Sequence, residues 1–157
     1  MLDSLGDFSF SFIAISETWF NTTTFHDLFN IDGYNFIHND RIDGRGGGVA
    51  LYIKSNIKYV IRDDLSRHLT NDAETVFIEI QNGNKGNVII GVIYRPPDNQ
   101  MASFNNSLSS CLHVICNEHK DCFLAGDFNI DLWNDVPCSN TQLFVDTLSS
   151  FFSPNYS

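Results

Sequence analysis

Asp127 and Asn129 are the residues whose types and spacing most directly suggest chemistry. They follow the apolar run 122–126, and in an extended backbone two residues so spaced point to one face while Phe128 is buried on the other. The carboxylate can take a proton from an attacking water, and the amide N–H can bind a phosphate oxygen as its charge grows. The pair therefore suits phosphodiester hydrolysis. A plain turn, in which Asp and Asn satisfy local backbone N–H groups, explains the same spacing and is the commoner arrangement.

Two further polar side chains stand where predicted strands end. Glu17 follows the run 10–16, and its carboxylate suits a hard cation such as Mg²⁺, which prefers one or two carboxylates with water and substrate oxygens. Tyr94 offers a phenol to a phosphate or a metal-bound water, and Pro96-Pro97 stop its strand there. For Glu17 the plain alternative is a surface glutamate. For Tyr94 it is a half-buried strand aromatic with its hydroxyl in solvent.

The elements that must position these residues are mostly strands. Short apolar runs rich in β-formers predict them at 10–16, 34–38, 49–53, 76–80, 88–94 and 122–126, and we expect the first and last to be buried. Apolar stripes predict helices over 101–116 and from Leu143 to Phe152. The fold class is therefore α/β or α+β with an antiparallel or mixed sheet, in a single domain over 1–157.

Composition sets limits on the function. The 157 residues are 43% hydrophobic and 13% aromatic, which excludes a disordered chain. The net charge of −10 argues against generic nucleic-acid binding. No apolar run approaches the roughly 18 residues of a membrane span, and the N-terminus is acidic, so we expect no membrane partner and an intracellular protein of the nucleus or cytoplasm. The four cysteines lack zinc-finger and C-x-x-C spacing and are expected to be reduced, small apolar side chains.

Four motifs in order carry a family resemblance. They are Ile15-Ser16-Glu17-Thr18-Trp19, the stretch Gly-Arg-Gly-Gly-Gly-Val-Ala-Leu-Tyr at 44–52, Tyr94-Arg95-Pro96-Pro97, and Gly126-Asp127-Phe128-Asn129-Ile130-Asp131. Together, over about Phe10 to Phe152, they resemble the endonuclease/exonuclease/phosphatase family, whose fold is that of deoxyribonuclease I. The likeness is closest to the apurinic-endonuclease-like domain of LINE-type (non-LTR) retrotransposons, which lies beside a reverse transcriptase.

The resemblance implies a role for each matching residue. Glu17 matches the family's Mg²⁺ ligand, and Tyr94 matches the tyrosine that touches the scissile phosphate. Asp127 matches the aspartate that orients or deprotonates the attacking water, and Asn129 matches the asparagine that holds the phosphate. The implied fold is a two-sheet β-sandwich with helices outside, the implied cofactor is Mg²⁺, and the inherited substrate class is DNA.

Two departures from the family pattern limit the expected activity. The family has an asparagine well before the metal glutamate, but the first asparagine here is Asn21. It also has an Asp-His pair after the Gly-Asp-Phe-Asn motif, whereas all five histidines here precede Asp127. We therefore expect a domain truncated at both ends, with uncovered sheet edges that a partner would cover and with little or no activity of its own.

The leading interpretation is thus an Mg²⁺-dependent endonuclease-type hydrolase domain of retrotransposon origin. A non-catalytic remnant or interaction module that keeps the sandwich is the alternative. A simple cation-binding module using Glu17, Asp127 and Asp131 is a third possibility, but it leaves Tyr94 and the glycine stretch without a role.

DNA binding by so acidic a chain requires a local positive surface. Arg45 and Arg95 are the candidate substrate-binding residues, and Arg41 and Arg62 are expected to join them. Gly46-Gly47-Gly48 beside Arg45 predicts a mobile loop, since glycine places few restraints on its backbone.

Overall fold

A computed structural model describes residues 10–42, 45–97, 100–133 and 138–152 of the chain. These residues form two β-sheets. The first sheet is antiparallel and contains β1 (Phe12–Ser16), β2 (Tyr34–Asn39) and β3 (Val49–Lys54) in the order β1-β3-β2. The second sheet contains β4 (Tyr59–Ile61), β5 (Glu74–Ile80), β6 (Val88–Tyr94) and β7 (Asp121–Asp127) in the order β4-β5-β6-β7.

Three α-helices pack against the second sheet. They are α1 (Asp63–Arg67), α2 (Met101–Asn117) and α3 (Ser139–Phe152). The pair β6-β7 is parallel, whereas β4-β5 and β5-β6 are antiparallel. Because a parallel pair needs a long crossover connection, α2 lies between β6 and β7 in the chain. Its buried residues Phe104, Leu108 and Leu112 pack with Phe77 of β5 and Phe144 of α3.

A second core fills the space between the two sheets. Leu51 and Ile53 of β3 pack there with Ile78 of β5 and Val92 of β6. Strands β5 and β6 are consequently covered on both faces, by the first sheet and by the helices. This explains why their sequences are almost continuously apolar rather than alternating.

The predicted class, α/β with two sheets and flanking helices, is confirmed. All six predicted strands and both predicted helices are present, with ends shifted by a few residues. Strand β4 and helix α1 were not predicted. At three and five residues, they are too short for an apolar period to be recognisable.

The expectation that the first and last strands are buried is wrong. Among the described residues β1 pairs only with β3 and β7 only with β6, so each is an edge strand. Phe12 is 38% exposed and Phe123 is 60% exposed. A short apolar run predicts a strand, but which of its faces is covered depends on the neighbouring elements.

The cysteine expectation holds in part. All four cysteines are free. Cys111 is buried among the helices, and burial raises the pKa of its thiol to about 12. Cys116 and Cys138 are exposed, so they are not apolar packing residues. Separately, none of the helices in the described part of the chain combines the length and apolarity needed to cross a bilayer.

Candidate active site at the strand ends

A hydrogen bond between the two sheets defines the candidate site. Glu17 directly follows β1, and Tyr94 is the last residue of β6. The Tyr94 hydroxyl donates to Glu17 Oε1 at 2.8 Å, across 77 residues of sequence. Burial raises the pKa of Tyr94, which is only 3% exposed, and the Glu17 carboxylate raises it further. The phenol is therefore a proton donor at neutral pH.

Asp127 and Asn129 reach the same end of the second sheet. Asp127 ends β7 and is the register partner of Tyr94 on β6. The Asn129 backbone N–H donates to Asp127 Oδ1 at 2.8 Å, and the Asn129 side-chain amide donates to the Arg95 carbonyl at 2.7 Å. A hydrogen bond from the Asn129 side chain also acts on Tyr94 and partly offsets the rise in its pKa. The structure thus brings Glu17, Tyr94, Asp127 and Asn129 together.

The expected extended backbone through Asp127 and Asn129 is wrong. Asn129 has φ of 48°, in the left-handed region, and its N–H bond to the Asp127 side chain closes a turn of the Asx type. The turn alternative is therefore the local structure. The turn also positions the functional groups of the site, because the reversal of the chain brings the Asn129 amide to Tyr94.

The glycine stretch holds the residues that follow Glu17. The Trp19 N–H donates to the Gly47 carbonyl at 2.9 Å, and the Thr18 N–H donates to the Gly48 carbonyl at 3.3 Å. Gly48 has φ of 80°, and a Cβ there would lie 2.5 Å from Thr18 Oγ1. Gly47 and Gly48 are buried, so for them the expected mobile loop is wrong. Gly44 of the same motif lies outside the described residues.

Glu17 is held in an unusual backbone conformation. Its φ is 55°, in the left-handed region that costs a non-glycine residue about 1 kcal/mol or more. The hydrogen bonds of the next two residues to the glycine stretch help to hold the chain there. Such strain is typical of positions where a side chain has to be aimed, and here the side chain is aimed at Tyr94.

Arg95, one of the two predicted substrate-binding residues, is buried beside the 127–129 turn. It is 4% exposed, its Nε donates to the Phe128 carbonyl at 2.7 Å, and its Nη2 donates to the Asn129 carbonyl at 2.7 Å. Burial lowers the pKa of Arg95, and the Asp127 carboxylate opposes that change. Arg95 therefore holds the 127–129 turn in place. A direct contact of this buried side chain with substrate stays a prediction.

The expected common positive surface of four arginines is not formed. Arg62 is paired with Glu79 and Glu118, and Arg41 with Glu74. Arg45 is the one of the four that is exposed, and its guanidinium lies 5.2 Å from the Trp19 ring centre, near the strand end that carries Glu17.

Arg41 has a role at the site that no sequence pattern predicts. Its Nε and Nη2 bind the two carboxylate oxygens of Glu74 at 2.8 and 3.1 Å, and its Cζ is 5.5 Å from the Tyr94 ring centre. The Arg41 charge favours the ionised phenol, against the larger effects of burial and Glu17. No motif pointed to Arg41 or Glu74, since their partners are distant in sequence.

The site fits a hard cation at Glu17. This carboxylate is exposed and uses Oε1 to accept from Tyr94, and Mg²⁺ is commonly held by one or two carboxylates while water supplies other ligands. The cation-only alternative receives no support. Within the described residues Glu17, Asp127 and Asp131 do not bring their carboxylates within 4.8 Å of one another. Asp131 instead accepts the Trp133 N–H in a local turn.

All five histidines fall within the described residues, and their contacts lie elsewhere. His26 and His38 contact Asp40, and His113 contacts the Ser109 carbonyl on α2. His68 follows α1, and His119 follows α2. In the described part of the chain no side-chain hydrogen bond therefore joins an imidazole to Glu17, Tyr94, Asp127 or Asn129.

Comparison of the sequence with models of protein families identifies the family to which the motifs and the fold correspond. A model of the Endonuclease/Exonuclease/phosphatase family matches residues 2–149. The chain belongs to that family. No curated protein sequence matches the chain significantly.

Two solved structures show the fold of this family member. The endonuclease domain of TRAS1, a telomere-specific non-LTR retrotransposon, aligns over 90% of this chain with a TM-score of 0.65 and 14% identity. The human Nocturnin catalytic domain with bound sulfate aligns over 95% with a TM-score of 0.57 and 14% identity. The chain spans 59% and 60%, respectively, of those two structures.

Proposed function

We propose that this family member carries the site of an Mg²⁺-dependent phosphodiester hydrolase of the endonuclease type, of retrotransposon origin, with DNA as its substrate. The observation that carries the proposal is the Tyr94–Glu17 hydrogen bond, which joins the ends of the two sheets beside the Asp127–Asn129 turn. The similarity in fold to a retrotransposon endonuclease domain supports the origin.

Each side chain has a distinct task in this proposal. Glu17 would hold Mg²⁺, which supplies positive charge beside a phosphate oxygen when bound. The Tyr94 O–H, kept protonated by burial, donates to a phosphate oxygen when substrate displaces its bond to Glu17. Asp127 accepts the proton of the attacking water, and the Asn129 amide N–H binds the oxygen that gains charge.

A non-catalytic module that keeps the sandwich is the second candidate. It is favoured by one observation, since among the described residues no side-chain hydrogen bond or ion pair joins a histidine to any of the four site residues. Catalytic groups that act as a unit lose most of the rate when one member is missing. We therefore propose that the 157-residue chain, purified alone, binds Mg²⁺ but does not cut DNA at a measurable rate.

Metal binding tests the proposed site. Calorimetry with Mg²⁺ should show binding by the wild type and its loss in Glu17→Gln, because the amide keeps the shape but has no charge. Asp146→Asn, which changes an exposed carboxylate on α3, is the matched control and should bind as the wild type does. Equal heats in wild type and Glu17→Gln would exclude Glu17 as the ligand.

Plasmid nicking tests the proposed lack of activity. Supercoiled DNA should remain intact with Mg²⁺, with EDTA, and with the Asp127→Ala protein alike. Nicking that requires Mg²⁺ and disappears in Asp127→Ala would show that the four-residue site is sufficient. In that case the non-catalytic alternative would be wrong.

A further inference from the structure

A second cluster of ligand-type side chains lies between β2 and the segment that follows Glu17. His38 is on β2, and Asp40 directly follows the end of that strand. His26 begins a short 3₁₀ helix, His26–Phe29. Asp40 Oδ2 lies 2.7 Å from His26 Nε2, and Asp40 Oδ1 lies 2.9 Å from His38 Nδ1. Within the part of the chain that the structure describes, this is the one group of three or more His, Cys, Asp or Glu whose ligand atoms lie within 4.8 Å of one another.

Stacked rings fix the direction of the two imidazoles. The His26 and His38 rings are 3.9 Å apart with an angle of 12° between their planes. His38 in turn stacks on Phe36 at 5.1 Å, and Phe36 stacks on Tyr52 at 4.7 Å. Phe20 packs edge-on against His26 at 5.6 Å. Both rings consequently direct a nitrogen toward the same carboxylate. Because a metal ion lies in the plane of each imidazole that binds it, one of the two stacked rings has to turn out of the stack when both nitrogens bind one ion.

The cluster is separate from the candidate active site. Along β2 and the two residues after it, residues 36, 38 and 40 share one face, and residues 39 and 41 share the other. Asn39 donates to the Thr75 carbonyl of the second sheet, and Arg41 pairs with Glu74. The His–Asp cluster therefore lies on the outer face of the first sheet, whereas the site at Glu17 and Tyr94 faces the second sheet.

Burial in the cluster is partial. The side chains of His26, His38 and Asp40 are 29%, 31% and 18% exposed, respectively. Solvent can thus reach the ligand atoms, while the aromatic rings shield one side. A bound ion would keep room for water beside three protein ligands, the arrangement of an open zinc site.

We infer that His26, His38 and Asp40 form a Zn²⁺-binding site. Two imidazole nitrogens and one carboxylate oxygen are a donor set that zinc prefers, whereas Mg²⁺ is bound by oxygen ligands. On binding, each imidazole presents the nitrogen that now faces Asp40 as a lone pair and carries its N–H on the other nitrogen. The ion ties the 3₁₀ helix to β2 and so fixes the segment that begins at Glu17.

Calorimetry with Zn²⁺ on the full 157-residue chain tests the inference. The wild type should bind one ion at this site, and His26→Gln, His38→Gln and Asp40→Asn should each weaken binding by at least about 100-fold, since each removes one of three ligands. His68→Gln changes an exposed histidine outside the cluster and should bind as the wild type does. Thermal melts of each variant without metal establish that it is folded.

Two further measurements separate this site from the others. Co²⁺ in place of Zn²⁺ should give the visible absorption of nitrogen and oxygen ligands without thiolate-to-metal bands, which excludes the four cysteines. Glu17→Gln should leave Zn²⁺ affinity unchanged, so failure of the Mg²⁺ proposal leaves this one intact. The inference would be overturned by undetectable Zn²⁺ binding, by equal affinity in wild type and cluster variants, or by loss of binding in Glu17→Gln alone.

Discussion

Arg45 and Arg95 both belong to sequence motifs, but Arg45 is exposed and Arg95 is buried. Arg95 is 4% exposed and donates to two carbonyls of the 127–129 turn. Arg45 is exposed and rests against the Trp19 ring, 5.2 Å from its centre. A guanidinium in that position keeps donors toward solvent, since its face and not its edge meets the aromatic ring. Under the proposed function, Arg45 is therefore the residue that we expect to contact DNA near Glu17.

Arg45→Ala should weaken any binding to a fluorescently labelled DNA duplex. Removal of one phosphate contact should also reduce the slope of log affinity against log salt by about one unit, because one fewer counterion is released. Fluorescence anisotropy at several salt concentrations measures both quantities. Arg67→Ala, an exposed arginine at the end of α1, is the control. An unchanged salt slope in Arg45→Ala would remove the glycine stretch from the interface.

Arg62 connects three elements of the second sheet and its helices. It precedes α1, its Nη1 binds Glu79 of β5 at 2.7 Å, and its Nη2 binds Glu118 at the end of α2 at 2.6 Å. The hydrogen bonds from Arg62 lower the pKa of Glu118. In Glu79 burial acts in the opposite direction, but hydrogen bonds from Lys120, Asn87 and Arg62 still leave its pKa lowered. The network therefore stabilises the fold in its ionised form.

Arg62→Met should lower the free energy of unfolding at pH 7 by about 2 kcal/mol, between the values for exposed and buried ion pairs. Carboxylates with a lowered pKa in the folded state contribute stability above their unfolded pKa and lose it as the pH falls. The difference between wild type and Arg62→Met should thus shrink as the pH goes from about 5 to 3. Urea unfolding at several pH values measures it, with Arg67→Met as the control. A difference that stays constant with pH would mean that packing and not charge is responsible.

At the scale of the whole molecule, the described residues leave one edge of β7 without a neighbouring strand. Among the described residues this strand has a neighbour only at β6, and Phe123 on it is 60% exposed. Beside it, Phe128, Leu148 and Phe152 line an apolar cavity of about 240 Å³ together with Cys122, Phe123 and Leu124. Free hydrogen-bonding groups next to apolar side chains favour pairing with another chain.

We expect the purified chain to self-associate as its concentration rises, and Phe123→Lys to reduce this. The association constant should fall by at least about tenfold, since burial of one Phe side chain is worth roughly 1.5–3 kcal/mol. Sedimentation analysis over a range of concentrations measures the effect. Phe25→Lys removes an even more exposed aromatic, 79% exposed, from the segment between β1 and β2 and should behave as the wild type. Equal association of both variants would place the contact away from β7.

Six of the seven strands, helices α2 and α3, and the four motif residues could be predicted from local patterns along the chain. Alternating or continuous apolar runs predict strands because side chains repeat every two residues, and Pro96-Pro97 end β6 because proline cannot continue the ladder. Helix α2 follows from Phe104, Leu108 and Leu112 at helical spacing. These are local properties, so no tertiary information was needed for them.

Only the tertiary structure decided which side chains meet. The bond between Tyr94 and Glu17 joins residues 77 apart, and it depends on how the two sheets pack. The same packing buries Arg95, pairs Arg41 with Glu74, and leaves β1 and β7 as edge strands among the described residues. His26 and His38 were unremarkable in the sequence, and became a cluster because the segment after Glu17 folds back over the outer face of the first sheet. The alternation of side chains is a property of each strand by itself. Contacts between strands and loops depend on how all the elements pack around the core.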